Sequence, residues 1–220
     1  MYTASHDLRA PISNIEGLLN ALQGELPPAT ASEAQVQPIL DMMQGSVDRF
    51  KRTIEHLTAV TKLQKENTPE AAPINLAQLI EEVRLDLGPL VKEAGAQLEV
   101  DVAAFPTVSF AEKTLRSIVY NLLSNAIKYR HHDRPPLVRI RSWTAGNLAM
   151  LTVEDNGLGF GQASHGKLFA LFERLHDHVE GSGIGLYMVK RMVENAGGRI
   201  EAVSHLGIST TFTGYFVLEN

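Results

Sequence analysis

Apolar residues early in the chain recur at alternating spacings of four and three. Leu8, Ile12, Ile15, Leu19 and Leu22 form one such run, the spacing that lines a single face of a helix. Gly24 and the pair Pro27-Pro28 end it. Val36, Leu40, Met43, Val47, Phe50, Ile54 and Leu57 repeat the alternation through a second, longer helix. Two seams of this kind predict an antiparallel helical hairpin. A single hairpin has too little core to stand alone. The expected arrangement is therefore a homodimer in which two hairpins bury their seams as a four-helix bundle. Packing of the hairpin on the rest of its own chain is the alternative.

Residues 67–73, with Pro69 and Pro73, read as a linker between a domain at 1–66 and a second at 74–220. Helical spacing resumes over Leu76 to Glu93 and is closed by Gly95. Gln97 to Val102 alternates as a strand does, and Phe110 to Tyr129 is helical again. Leu137 to Trp143 and Leu148 to Val153 read as strands joined through Ala145-Gly146-Asn147. Ile184 to Asn195 reads as a helix closed by Gly197-Gly198, and Ile200 to Ser204 and Thr210 to Leu218 as final strands. This mixture predicts an α+β sandwich, with helices on one face of a mixed sheet.

The 220 residues are 44% hydrophobic and 20% charged, an ordinary globular balance. No apolar run approaches the roughly 18 residues needed to span a bilayer, and no secretory signal pattern opens the chain. The net charge of -5 argues against nucleic acid as a partner. The lack of cysteine removes disulfides and thiolate metal sites and is compatible with a reducing cytoplasm. A cytoplasmic location is expected, with membrane attachment of a longer protein left open.

Two places carry candidate chemistry. His6 lies two residues before Leu8, about 200° around the helix, and so faces away from the apolar seam. An exposed histidine without function is the alternative. Near neutral pH one ring nitrogen of a free imidazole keeps a lone pair for attack. Asp7 beside it can orient the ring or accept its proton, and Pro11 should kink the helix about one turn later. Far along the chain, Asn121, Asn125 and Lys128 share one helical face. It is either a solvated polar surface or a site where amide oxygens suit Mg2+ and the ammonium suits phosphate. Asp155 follows an apolar strand, where a carboxylate can accept from an exocyclic amine such as that of adenine. Gly157 and Gly159 allow close backbone approach to a base. Gly181, Gly183 and Gly185 precede a helix whose first amides favour anionic phosphate.

Several familiar motifs are absent. Gly183-Ile184-Gly185 lacks the third glycine of the dinucleotide fingerprint, Ser182 lacks the glycines of the nucleophile elbow, and no P-loop occurs. His131-His132-Asp133 and His176-x-His178 could ligate a metal, but ordinary loop histidines are the preferred reading.

Taken in order, these residues resemble the catalytic core of sensor histidine kinases. Ser5-His6-Asp7-Leu8-Arg9-Ala10-Pro11 is similar to the family's histidine box, and Asn121 to Tyr129 to its asparagine box. Asp155-Asn156-Gly157-Leu158-Gly159 is similar to the first glycine box, and Leu168 to Leu175, containing Arg174, to the phenylalanine box. Gly181-Ser182-Gly183-Ile184-Gly185-Leu186 is similar to the second glycine box. The resemblance implies a dimerisation and phosphotransfer hairpin followed by a Bergerat-type ATP-binding domain, with ATP and Mg2+ as its ligands. His6 would attack the γ-phosphorus with Asp7 as acid-base partner. Asn125 would hold Mg2+, Asn121 and Lys128 would contact phosphates, and Asp155 would read the adenine amino group. Tyr129, Gly157, Gly159, Arg174, Gly181, Gly183, Ile184, Gly185, Leu186 and Thr210 would complete the nucleotide site. Residues 161–180 would form a lid. The phosphoryl group would pass to an aspartate of a response-regulator receiver domain.

Three departures sharpen this picture. Ala10 stands where many family members carry Thr or Asn able to position water, which predicts weak or absent phosphatase activity. Ser209 stands where the family usually has Gly, placing the geometry of that turn in question. Only five residues precede His6, roughly 8 Å of helix, so an upstream sensor or input domain is expected outside this chain. Two other readings compete. Related ATP-hydrolysing machines use a glutamate where Asn121 stands, and an amide is no general base. A non-catalytic dimeric scaffold is the other.

Overall fold

The computed structural model describes residues 15–22, 36–63, 71–161, 166–171, 173 and 183–218, with the backbone alone for 49 and 51–63. The chain divides into two compact units, Met1–Glu66 and Asn67–Asn220. In the first, residues 15–22 (α1) and Val36–Leu63 (α2) are helical. Leu19, Leu40 and Val47 are buried, whereas Ile15, Leu22, Met43 and Phe50 of the same apolar seams stay exposed. Among the described residues, part of each seam thus finds no cover within the unit.

In the second unit, β1 (Ala72–Asn75) pairs antiparallel with β3 (Thr107–Phe110). The strand begins at Ala72, inside the stretch read above as a linker. Asn75 then caps α3 (Leu76–Asp86), its side chain accepting from the Gln78 amide at 3.0 Å, which satisfies one of the open amides of a first helical turn. The single helix expected over 76–93 is two: α3 ends at Leu87, and a second, α4, spans Gly88–Ala94. Pro89 has no N–H with which to continue a ladder but sits readily in a first turn. Gly95, at φ 62°, closes α4 in the left-handed region that suits glycine.

The main sheet has five strands in the order β2–β4–β5–β7–β6. They are β2 (Gln97–Asp101), β4 (Leu137–Ala145), β5 (Leu148–Asp155), β6 (Arg199–His205) and β7 (Ser209–Val217). Only β2–β4 is parallel; the other pairs are antiparallel. Alternate residues of β7, from Thr210 to Phe216, are buried, the mark of a sheet covered on one face. Ala149 to Val153 of β5 are buried without interruption, as befits the central strand.

Helix α5 (Glu112–Lys128) supplies much of the opposing layer through Leu115, Ile118, Val119, Leu122, Leu123 and Ile127. It starts at Glu112 rather than at Phe110, because Phe110 belongs to β3, where its ring meets Phe216 edge-on at 5.2 Å. Helix α6 (Gly185–Asn195) packs against α5 and buries Val189, Met192 and Val193. The expected α+β sandwich is present in this unit.

Candidate nucleotide site

Asp155 ends β5 between Val138 of β4 and Thr210 of β7. Its carboxylate is buried, 7% exposed, and Oδ1 accepts from the Gly157 amide at 2.8 Å. Burial pushes its pKa up to about 6; the amides of Gly157 and Thr210 and the charge of Arg134 work against that rise, and Glu154 adds to it. Asp155 therefore stands at neutral pH as a desolvated acceptor.

The turn after Asp155 is held against its surroundings closely enough to demand glycine. A Cβ on Gly157 would stand 2.3 Å from the Tyr129 carbonyl oxygen, the same oxygen that accepts from the Leu158 amide at 2.9 Å. Gly159, at φ 58°, would place a Cβ 2.1 Å from the His205 carbonyl oxygen. The first turn thus docks on the end of α5, and the second on the β6–β7 hairpin.

Helix α6 approaches α5 at Gly185, where a Cβ would meet Asn121 Oδ1 at 2.8 Å. Asn121 donates through Nδ2 to the Ser117 carbonyl at 2.8 Å, which leaves its oxygen turned to the start of α6. That start has no side-chain cap, so its first amides remain open to an anion. Asn125 lies one turn further along α5, half-buried, with no side-chain hydrogen bond among the described residues. An amide oxygen left unpaired in this way fits a hard cation such as Mg2+. Lys128, in the last turn of α5, is exposed and makes no ion pair among the described residues.

The structure thus brings Gly185 to Asn121, Gly157 to Tyr129, Asp155 to Thr210 and Gly159 to the β6–β7 turn, with Asn125 and Lys128 further along the helix that carries Asn121. Gly183 is left-handed at φ 70°. Ile184 is a core side chain, 1% exposed, so its side chain fills the layer behind the site. Leu186 is half-buried. His6, Asp7, Ala10, Arg174 and Gly181 lie outside the described residues. Leu168 is buried, and Phe169 meets Phe212 edge-on at 6.4 Å with the Lys190 ammonium 5.7 Å from its ring centre.

The turn containing Ser209 keeps ordinary geometry. Its left-handed residue is Gly207, at φ 75°, while Ser209 opens β7 opposite His205, in extended backbone open to any residue. Ser204 secures the corner: Oγ accepts from the Phe160 amide at 2.9 Å, donates to the Ser209 carbonyl at 2.9 Å and lies 3.0 Å from Thr210 Oγ1.

Three contributors escaped the sequence reading: Ser204, Asn156 and Arg134. Asn156 accepts from the Leu137 amide at 2.9 Å and donates to the Pro135 carbonyl at 3.0 Å. Arg134 reaches the carbonyls of Asn156, Gly157, Gly207 and Ile208 at 2.6 to 3.0 Å. A lone basic residue in a proline-rich loop carries no pattern that announces such contacts. His131, His132 and Asp133 bring three ligand atoms within 4.8 Å of one another. The two rings are stacked, with planes 14° apart, and nearly parallel rings do not aim two in-plane lone pairs at one ion. His131 Nδ1 also accepts from the Asp133 amide at 3.2 Å, a turn contact.

The fold and this cluster define a nucleotide-binding module preceded by a helical unit. Residues 110–220 match the model of the histidine kinase-, DNA gyrase B- and HSP90-like ATPases. The chain belongs to that family, whose nucleotide is ATP, and corresponds to the catalytic region of a sensor histidine kinase. It is 28% identical over 212 residues to the methanogenesis regulatory histidine kinase FilI of Methanothrix harundinacea, covering 96% of this chain and 23% of that protein. Full-length ShkA in complex with AMPPNP shares the fold, with a TM-score of 0.72 and 22% identity over 99% of this chain and 45% of that one. ThkA in complex with the response regulator protein TrrA does so at a TM-score of 0.68 and 17% identity, over 99% of this chain and 60% of that one. The chain spans less than half the length of the curated relatives it matches. Among the described residues no helix is long and apolar enough to cross a membrane.

Proposed function

We propose that this chain binds Mg-ATP, phosphorylates itself on His6 and passes the phosphoryl group to an aspartate of a response-regulator receiver domain. The observation that carries the reading is the buried Asp155 carboxylate, gripped by the amides of Gly157 and Thr210. Asp155 accepts from the adenine amino group, and the open amides of α6 together with Lys128 take the phosphates. Asn121 contacts the phosphates as well, and Asn125 would hold Mg2+, which neutralises phosphate charge when bound.

A lone pair of the His6 imidazole forms the new N–P bond to the γ-phosphorus, the bond from that phosphorus to the β-bridging oxygen breaks, and ADP leaves. Asp7 takes the ring proton. Exposure of Ile15, Leu22, Met43 and Phe50 supports homodimerisation through a four-helix bundle. The ThkA–TrrA complex supports a receiver domain as acceptor. Ala10 offers no hydrogen bond to water, so phosphatase activity toward the phosphorylated regulator is weak or absent. A cytoplasmic site of action, below an input domain, accords with such a relay.

Labelled Mg-ATP incubated with the chain and with His6→Gln tests the reading. Acid-labile, base-stable label on the first protein and none on the second is expected. Free phosphate without labelled protein would replace it with a hydrolase, and neither signal would leave a scaffold.

A further inference from the structure

Every described hydrogen bond of the Arg134 guanidinium goes to a main-chain oxygen. Nε donates to the Asn156 carbonyl at 2.6 Å, and Nη2 to those of Gly157 at 3.0 Å, Gly207 at 2.8 Å and Ile208 at 2.9 Å. It makes no ion pair among the described residues. The four carbonyls belong to two turns far apart in sequence. One directly follows Asp155; the other directly precedes Ser209 and Thr210. These two turns also meet through the Gly207 amide, which donates to the Leu158 carbonyl at 2.6 Å.

Placement within one peptide group gives the contact its meaning. The Asn156 carbonyl and the Gly157 N–H are opposite ends of the same amide. Arg134 binds its oxygen, and the Asp155 carboxylate accepts from its hydrogen at 2.8 Å. A cation at one end and an anion at the other polarise that peptide in the same sense, so each hydrogen bond strengthens the other. Among charged neighbours of Asp155, Glu154 opposes its ionisation and Arg134 favours it.

We propose that Arg134 is a positioning residue for base recognition, tying the two turns together so that the Asp155 carboxylate stands where it accepts from an exocyclic amine and discriminates against a base carrying a carbonyl there. The inference rests on the reading of Asp155 as the residue that meets the base. A fork of coplanar donors is what the four carbonyls require; an ammonium keeps the charge but cannot span them.

The test uses the full chain with Arg134→Gln and Arg134→Lys, each first shown by melting to be folded. Affinity for ATP and for GTP is measured from pH 5 to pH 8. For Arg134→Gln, ATP affinity should fall about tenfold or more, since hydrogen bonds from a charged donor are lost. The ratio of ATP to GTP affinity should narrow, and the pH midpoint of ATP binding should rise. Arg134→Lys should keep the wild-type midpoint with weaker binding. Arg134→Gln with wild-type affinity, selectivity and midpoint would overturn the proposal. So would an equal loss for ATP and GTP with an unmoved midpoint, which a general structural role produces. If Arg134→Gln does not fold, Arg134→Lys decides: wild-type affinity and selectivity would overturn the inference. A wild-type chain that binds neither nucleotide would instead sink the nucleotide reading itself.

Discussion

Replacing Asp155 by Asn separates what the buried carboxylate does for a ligand from what it does to folding. Burial moves the Asp155 pKa from 3.8 to about 6, about two units, which corresponds to about 3 kcal/mol between the two protonation states. Because the folded-state value is the higher one, the folded protein holds this proton more tightly than the unfolded chain. The group's stabilising contribution is complete below pH 3.8 and lost as pH rises through about 6. About half is gone by roughly pH 5, and the loss levels off at about 3 kcal/mol near neutrality.

Asn does not titrate, yet its side-chain oxygen can still accept from the Gly157 amide. The stability of Asp155→Asn relative to wild type should therefore increase by about 2.5 kcal/mol between pH 4 and pH 7.5. Denaturant unfolding followed by fluorescence of Trp143 measures it; this lone tryptophan lies in β4 and so reports on the second unit. In the same variant ATP affinity at pH 7.5 should fall roughly 10- to 150-fold, as expected when a charged acceptor is lost. A stability difference that stays flat across this pH range would refute the account of Asp155 as a desolvated carboxylate.

Two glycines with similar backbones should respond differently to alanine. Gly146, at φ 61°, has open space around it, so Gly146→Ala should cost only the left-handed strain of about 1–2 kcal/mol. Gly159→Ala adds a contact 2.1 Å from a carbonyl oxygen, and should exceed about 3 kcal/mol in the same unfolding assay and abolish ATP binding. Leu123→Ala removes a side chain with 0% exposure and should lower stability by about 2–5 kcal/mol. Lys128→Ala, at an exposed position, should change stability by less than about 0.5 kcal/mol while weakening ATP binding measured by titration.

The readable part of the fold was the part written in short-range pattern. Apolar periodicity placed α5 and α6, and the alternation over Gln97 to Val102 marked β2. Gly146 and Gly197 mark turns because a positive φ suits glycine. Errors fell at element ends: Phe110 fits a helical stripe as well as a strand, and pairing with Ala72 decided for the strand. The break at Gly88-Pro89 was visible as residues, but Val83, Leu87, Leu90 and Val91 keep helical intervals across it.

Taken by itself, the sequence determined the identity and order of the chemical groups, the types of most elements, and the glycines that mark where backbones crowd together. Each follows from interactions within a few positions of the chain. Only the tertiary structure decided that Asp155 is buried, that Gly159 is pressed on His205, that the left-handed residue before β7 is Gly207, and that Arg134 joins two turns. Those facts depend on register across the sheet, where β5 and β7 align Asp155 with Thr210. Contacts between residues about 70 positions apart arise from three-dimensional closure, and local spacing holds no trace of them.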